Sequence, residues 1–319
     1  MKKNILVTGG AGFIGSNIVS ALLNDERVGK VRVLDNLSTG YLENIVEFST
    51  NSNFEFVKGD IRDYQTCLDA CEGIDLITHQ AALGSVPRSI NDPITTNEVN
   101  ISGTLNIFTV AKEKNIRRVV FAASSSTYGD SPGLPKVEDK IGRPLSPYAV
   151  TKYVMELYAD VFAKTYGLEY IGLRYFNVFG PKQNPNGAYA AVIPLFISAL
   201  IEKKASTING DGSVSRDFTY VANAVQANLL ALFTENKEAI NQIYNVACGE
   251  RTTLNQLYFA LQEAAQSNIA PVYAPVRKGD IPHSLADISK IKTFLGYEEK
   301  VKVKKGLGLA FEWYKSNHK

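Results

Sequence analysis

The sequence predicts an α/β protein built on a doubly wound parallel sheet, with a smaller α/β region following it. Three observations carry that prediction. A short β-branched run, Ile5-Leu6-Val7-Thr8, leads at once into a glycine turn and a helical pattern, Gly9-Gly10-Ala11-Gly12-Phe13-Ile14-Gly15-Ser16. Short apolar runs then alternate with helical patterns, the order that produces βαβ units and a parallel sheet. Past residue 181 the chain turns polar and breaker-rich, and its periodicity becomes patchier. The expected division is residues 1–180 for the sheet domain, with segments near 215–250 returning to it, and residues 181–319 mainly for the second region.

Ile5-Leu6-Val7-Thr8 reads as a buried first strand, and Ile14, Ile18, Ala21 and Leu22 mark one face of the helix after it. Strand, glycine turn and helix form the context that a dinucleotide loop requires. Gly9 allows the tight turn, Gly12 lets a pyrophosphate approach the backbone, and Gly15 allows close helix–strand packing. The helix N-terminus then faces the phosphates. Val31-Arg32-Val33-Leu34-Asp35 is the second strand. Asp35 at its end suits a ribose 2′-hydroxyl and repels a 2′-phosphate, which favours NAD over NADP. The third strand covers residues 54–60, where Asp60 suits the adenine amino group and Ile61 the ring. The fourth, residues 74–79, leads into small residues after Gln80 that let a ligand lie on backbone. His79 is flanked by apolar residues and reads as a satisfied core histidine. A long helix is expected over residues 91–114, and a fifth strand over residues 117–123.

That fifth strand ends in Ser124-Ser125-Ser126-Thr127-Tyr128-Gly129. Ligands of such sheets sit outside the carboxyl ends of the strands, where hydroxyls can bind a polar substrate. Ser146-Pro147 then opens a helix, with Ser as N-cap and Pro at the first helical position. Val154, Leu157, Tyr158 and Val161 recur along it at helical spacing, and Gly167 stops it. Tyr148 and Lys152 stand four residues apart on one face. A phenol beside a fixed ammonium ionises more easily, giving a base usable near neutral pH. Tyr-x-x-x-Lys is commonplace in isolation, and its weight here comes from the loops around it. A sixth strand covers residues 168–174. Beyond it come helices near 188–202, 221–233, 254–265 and 302–316, and a strand at 243–246. The dipeptides Asn209-Gly210 and Asp211-Gly212 mark turns.

Hydrophobic residues make up 45% and charged residues 21% of the chain, with a net charge of +2. No broad basic surface for nucleic acid follows from that balance. Cys67, Cys71 and Cys248 are too few for a disulfide framework, and no metal shell accompanies them, so reduced buried thiols are expected. The apolar start is too short for a signal peptide or a membrane span, which points to the cytoplasm.

The motifs together resemble the extended short-chain dehydrogenase/reductase enzymes with an NAD-binding Rossmann domain, and within them the nucleotide-sugar 4-epimerases. The resemblance rests on the glycine turn and on Asp35-Asn36-Leu37-Ser38-Thr39-Gly40, Gly59-Asp60-Ile61-Arg62 and Tyr148 with Lys152. Leu173-Arg174-Tyr175-Phe176-Asn177-Val178-Phe179-Gly180-Pro181 and Arg216-Asp217-Phe218 complete it, in family order over nearly the whole chain. It implies NAD held by Gly9, Gly12, Phe13, Ile14 and Gly15, by Asp35, Asn36, Ser38, Thr39 and Gly40, and by Asp60, Ile61, Gln80, Ala81, Ala82, Tyr148, Lys152 and Tyr175. It implies a reversible oxidation at C4 of a UDP-hexose. Tyr148 takes the 4-hydroxyl proton, Lys152 lowers the Tyr pKa, and one or more of Ser124, Ser125 and Ser126 relays the proton. The 4-keto sugar swings about its diphosphate and is reduced on its other face. By matching position, Asn177, Arg216, Arg277 and Asp280 hold UDP, with Ala191, Val192, Thr207 and Asn209. Gly84, Ser85, Val86 and Ser284 face the sugar.

Gly84-Ser85-Val86-Pro87-Arg88-Ser89, the three serines and the stretch from Asn186 to Pro194 are similar to the UDP-N-acetylglucosamine 4-epimerases. Ser284 stands at the family's size gate, where a small residue leaves room for a 2-acetamido group. UDP-glucose or a UDP-N-acetyl-hexosaminuronic acid remains an alternative substrate. A dehydratase of this fold would place Thr-Asp-Glu where Ser125-Ser126-Thr127 stands, so dehydration is disfavoured. A non-catalytic NAD-binding protein fits poorly with Tyr148, Lys152 and the serines all present. The resemblance also implies a homodimer paired through the helices near 91–114 and 146–166.

Overall fold

The computed structural model describes residues 1–186, 190–276 and 283–317. Seven strands form the central sheet: β1 (Lys3–Thr8), β2 (Val28–Asp35), β3 (Phe54–Lys58), β4 (Leu76–His79), β5 (Arg118–Ser124), β6 (Glu169–Tyr175) and β7 (Gln242–Val246). Their order is β7-β6-β5-β4-β1-β2-β3, and every neighbouring pair runs parallel. The order reverses between β1 and β4, so their carboxyl ends form the switch point at which such sheets take ligands.

Both faces of the sheet are covered, which is why its strands read as unbroken apolar runs. Along β1, Ile5 and Val7 pack on one side and Leu6 on the other. The first side is closed by α1 (Phe13–Leu23) and a helix from later in the chain, Val221–Phe233. The second is closed by α2 (Tyr64–Ala70), α3 (Gly103–Glu113) and α4 (Pro147–Tyr166). Chain beyond residue 181 thus supplies both a covering helix and the edge strand β7. A separate core joins α5 (Val192–Ile201), α6 (Leu254–Ala264) and α7 (Val303–Asn317) through Phe196, Ile197, Leu257, Leu261, Leu307 and Phe311.

The start and stop of α4 follow local chemistry. Ser146 Oγ accepts from Ala149 N at 3.1 Å, Pro147 occupies the first turn, and Gly167 ends the helix at φ +74°. Its buried face is not the apolar stripe of Val154, Leu157, Tyr158 and Val161. Ala149, Lys152, Met155, Ala159 and Phe162 are buried, whereas Leu157 is 49% and Val161 51% exposed. The helix is apolar on two sides, and periodicity alone does not say which side meets the sheet.

The single helix expected over residues 91–114 is also corrected. A helix Val86–Asn91 ends before Pro93, and Asp92 Oδ1 caps the next one by accepting from Thr95 N at 3.1 Å. The residue before a proline is pushed out of helical geometry, which accounts for the break. A wide turn of π type at Glu98–Ser102 then precedes α3. The helix expected near 188–202 is seen as Val192–Ile201. Among the described residues no helix is long and apolar enough to cross a membrane, and no acid, His or Cys cluster could hold a metal.

Candidate active site

The turn after β1 is shaped by its glycines. Gly9 sits at φ +69°, and a Cβ there would lie 2.6 Å from Ala81 N. At Gly15 a Cβ would lie 2.1 Å from Gly9 O. Gly12 precedes α1, which has no side-chain cap, so the first N–H groups of the helix keep their donors for an anion. Opposite them opens a cleft of about 560 Å³. Every residue expected to face the cofactor lines it, from the glycine turn through Asp35, Asn36, Ser38, Thr39, Gly40, Asp60, Ile61, Gln80, Ala81 and Ala82 to Tyr148, Lys152 and Tyr175. A bare helix N-terminus, a turn with no room for side chains and a buried acid at the end of β2 fit a dinucleotide.

Asp35 does two jobs. Its Oδ2 accepts from Ala11 N at 2.9 Å and its Oδ1 from Leu37 N at 2.8 Å, pinning the glycine turn to the loop after β2. A carboxylate keeps further acceptor capacity beyond two such bonds. Burial pushes its pKa up. Asp60 is held down, at about 2, chiefly by its hydrogen-bonded pair with Arg62, and it also accepts from Asn36 Nδ2 at 2.8 Å.

At the other end of the cleft, Ser124 lies close enough to Tyr148 to pull its pKa down against the larger upward push of burial. Ser126 Oγ donates to Ser124 Oγ at 2.9 Å. Ser125 lines the cleft, whereas Ser126 stands behind Ser124 and does not. The three serines therefore separate into one that meets the tyrosine, one in the cleft and one in support. Lys152 is buried, and its Nζ donates to Ala122 O at 2.7 Å. Its Nζ lies 6.0 Å from the centre of the Tyr148 ring. Burial pushes the Lys152 pKa down to about 8. Burial also pushes Tyr148 up, offset in part by Ser124. The lowering of Tyr148 by Lys152 expected from their spacing is thus not found here. The ammonium is directed at a backbone carbonyl, and desolvation outweighs what remains.

His79 is a core histidine, as expected. Its Nδ1 meets Thr8 Oγ1 at 2.7 Å and its Nε2 meets Thr104 Oγ1 at 2.9 Å, and burial pushes its pKa down to about 3. The three cysteines are buried and free. Asn100 was not legible in the sequence. The wide turn before α3 buries it, and its side chain accepts from Leu83 N at 2.8 Å and donates to Leu83 O at 3.2 Å and to Thr151 Oγ1 at 3.0 Å. It fixes the loop after β4 against α4. Asn228 was missed as well. It donates to Tyr175 Oη at 2.7 Å and accepts from Gln80 Nε2 at 3.1 Å, locking two residues of the cleft.

A second cleft, of about 730 Å³, lies against the C-terminal region, and Asn177, Ala191, Val192, Thr207, Asn209 and Arg216 all line it. Asn177 and Val178 line both clefts, so the two meet there. Asn177 holds φ +38° and donates from Nδ2 to Asp217 O at 2.9 Å. The short strand Thr207–Asn209 pairs on one edge with Val272–Ala274. Ser206 O and Gly210 N bond to that partner, which turns the peptide groups of Thr207 and Asn209 to the opposite, unpaired edge. Such an edge offers donor and acceptor side by side, as a pyrimidine base requires.

The expected sugar contacts are only partly assembled. Gly84 lines the first cleft and Pro87 the second. Ser85 and Val86 line neither: Ser85 Oγ caps the helix Val86–Asn91 by accepting from Arg88 N at 3.2 Å, and Val86 is exposed. Ser284 lines neither cleft, but its N donates to Ser215 O at 3.1 Å, which sets it beside Arg216. Arg277 and Asp280 lie outside the described residues.

The family model described as the NAD dependent epimerase/dehydratase family matches residues 5–247. A protein of Methanocaldococcus jannaschii named as a putative UDP-glucose 4-epimerase is 37% identical, over 99% of each chain. The structure of a UDP-N-acetylglucosamine 4-epimerase from Methanobrevibacter ruminantium M1, in complex with UDP-N-acetylmuramic acid, superposes with a TM-score of 0.93. It is 42% identical, covering 99% of this chain and 100% of that one. A UDP-glucose 4-epimerase from Thermotoga maritima, with UDP-glucose, gives a TM-score of 0.92 at 37% identity, over 99% and 100% of the two chains.

Proposed function

We propose a function from one firm premise: this chain belongs to the NAD dependent epimerase/dehydratase family. It is an NAD-dependent UDP-sugar 4-epimerase. The sugar we propose is a 2-acetamido hexose, interconverting UDP-N-acetylglucosamine and UDP-N-acetylgalactosamine. The observation that carries this choice is Ser284, a small side chain set beside Arg216 by the bond to Ser215. The 42% identity to a UDP-N-acetylglucosamine 4-epimerase supports it. UDP-glucose is the second reading, supported by the names of two other relatives.

NAD, when bound, supplies the group that takes and returns the C4 hydrogen. Gly9, Gly12, Gly15 and Asp35 hold the dinucleotide in this reading. Tyr148 and Asn177 both line the cofactor cleft, and in this reading the 4-hydroxyl of a sugar spanning the junction reaches Tyr148. The Tyr148 phenolate takes the 4-hydroxyl proton, the phenol so formed gives it back on the return step, and Ser124, beside Tyr148 in the cleft, relays the proton between sugar and tyrosine. Lys152 holds the nicotinamide ribose and brings a positive charge to the phenolate as it forms. Asn177, Arg216 and the unpaired edge at Thr207 and Asn209 anchor UDP, with Ala191 and Val192 closing the wall. Firm anchoring of UDP and loose holding of the sugar let either face of C4 be presented.

A second copy of the chain is proposed as partner. Ile90 and Ile94 are 60% and 72% exposed, and on α4 Val150, Leu157 and Val161 are exposed as well. These residues give three helical segments an outward apolar surface of the kind that dimers cover.

The test is a panel of UDP-glucose, UDP-N-acetylglucosamine and its uronic acid, each incubated with the protein and followed by proton NMR. The expected result is fastest appearance of the C4 epimer from UDP-N-acetylglucosamine. Turnover of UDP-glucose alone would overturn the sugar assignment and leave the reaction class standing.

A further inference from the structure

Asp217 is a buried carboxylate that the reaction as described leaves without a role. It has no measurable exposure, and among the described residues no cation pairs with it. Its Oδ1 accepts from Cys248 N at 2.9 Å, and its Oδ2 from Gly249 N at 3.1 Å and Ala286 N at 3.2 Å. Burial pushes its pKa up to about 7, against the pull of those three N–H groups. An ionised carboxylate presents acceptors on both oxygens, whereas an asparagine would turn its own N–H₂ toward one of these donors. Burying such a group is costly unless its bonds accomplish something.

Those bonds join three segments that are distant in sequence. The first carries Arg216, the neighbour of Asp217. The second is the turn at Gly249, which holds φ +67°. The third is the stretch from 283 to 287, which carries Ser284. The Asp217 carbonyl also accepts from Asn177 Nδ2 at 2.9 Å, and Asn177 lines both clefts. The third segment has anchors of its own. Lys136 N donates to Leu285 O at 2.7 Å, Asp287 N donates to Lys136 O at 2.9 Å, and His283 Nδ1 meets Ser215 Oγ at 2.8 Å. Losing the carboxylate therefore loosens this segment without releasing it.

We propose that Asp217 is a positioning residue for the sugar nucleotide, fixing Asn177 and Arg216 in the wall of the substrate cleft and the Ser284 segment behind Arg216. The proposal rests on the UDP-sugar reading of that cleft. It makes Asp217 matter for UDP and sugar binding far more than for NAD, whose cleft shares Asn177 and Val178 with the substrate cleft and takes its other walls from elsewhere.

The experiment compares wild-type protein with Asp217→Asn and Asp217→Ala, all loaded with NAD. UDP affinity is measured by calorimetry, kcat and KM by the epimerisation assay, and NAD retention by the dinucleotide released on denaturation. The expected result for Asp217→Asn is a rise of tenfold or more in both the UDP Kd and KM. Its kcat should stay within about threefold and its NAD content should not change. Asp217→Ala should raise both constants further. Unchanged UDP affinity and KM in Asp217→Asn overturn the proposal. So does an Asp217→Asn chain that fails to fold or loses kcat, KM and NAD together, since that marks a purely fold-stabilising group. Wild-type protein that binds no UDP removes the reading of the cleft itself, and the proposal with it.

Discussion

The two clefts that meet at Asn177 are built in different ways. The cofactor cleft takes its walls from the carboxyl ends of β1 to β5 and the first turns of α1 and α4. Most of its residues come in short contiguous runs, and much of the surface is backbone exposed by small side chains. The substrate cleft is assembled from α5, from strands of two or three residues and from side chains such as Arg216, Phe218 and Leu254 that are far apart in the chain. The first cleft depends on local strand–turn–helix geometry. The second depends on tertiary ties such as those at Asp217 and Ser215. The difference teaches that cofactor identity in this chain is written locally, whereas sugar identity is written in how distant segments meet.

Substitutions sharpen that contrast. Ser284→Tyr acts on the assembled side and should have the larger effect. On the proposed reading a tyrosine there takes the room of the acetamido group, so kcat/KM for UDP-N-acetylglucosamine should fall by about tenfold to a hundredfold, the discrimination that a few missing or added heavy atoms in a pocket give. UDP-glucose should be much less affected, and NAD content should not change. Equal loss for both sugars, read in the same assay, would break the link between Ser284 and the 2-position.

Lys152→Met acts on the local side, and its effect on stability is smaller. The folded protein lowers the Lys152 pKa from 10.5 to about 8 through burial. Between those values the unfolded chain holds a proton that the folded chain lacks, so stability rises with pH across that window. Below about pH 8 the full cost of burying the ammonium is present. NAD-free Lys152→Met should therefore melt a few degrees above NAD-free wild type at pH 7, with the gap closing by pH 10.5. A gap independent of pH in differential scanning calorimetry would contradict the burial effect.

What the sequence disclosed follows the same division. The glycine turn, Asp35, the Ser146 cap, Pro147 and the Gly167 stop act through backbone geometry over a few residues, and each stands where the residues predicted. His79 was legible because apolar neighbours on a strand leave a histidine nowhere but the core. The inward face of α4 was not legible, because the helix carries apolar residues on two sides. The break at Pro93 and the wide turn that buries Asn100 were missed because the surrounding helical pattern continues across them. Ser85 and Val86 were expected at the sugar, but a helix cap claims the first and solvent the second. Asp217 was visible only as part of a motif. Its three donors come from residues 248, 249 and 286, a convergence that no spacing rule reports.

Tyr148 lines the cofactor cleft that meets the substrate cleft at Asn177, and the most direct measurement is the turnover of Tyr148→Phe together with its NAD content. The phenol ring is kept and only the hydroxyl is lost, so the local cofactor cleft should stay intact. The prediction is a fall in kcat of two to four orders of magnitude, the range a positioned proton-transfer group supplies. NAD and UDP should bind as they do to wild-type protein. Activity within a few-fold of wild type, with NAD still bound, would contradict the assignment of Tyr148 as the group that moves the C4 hydroxyl proton.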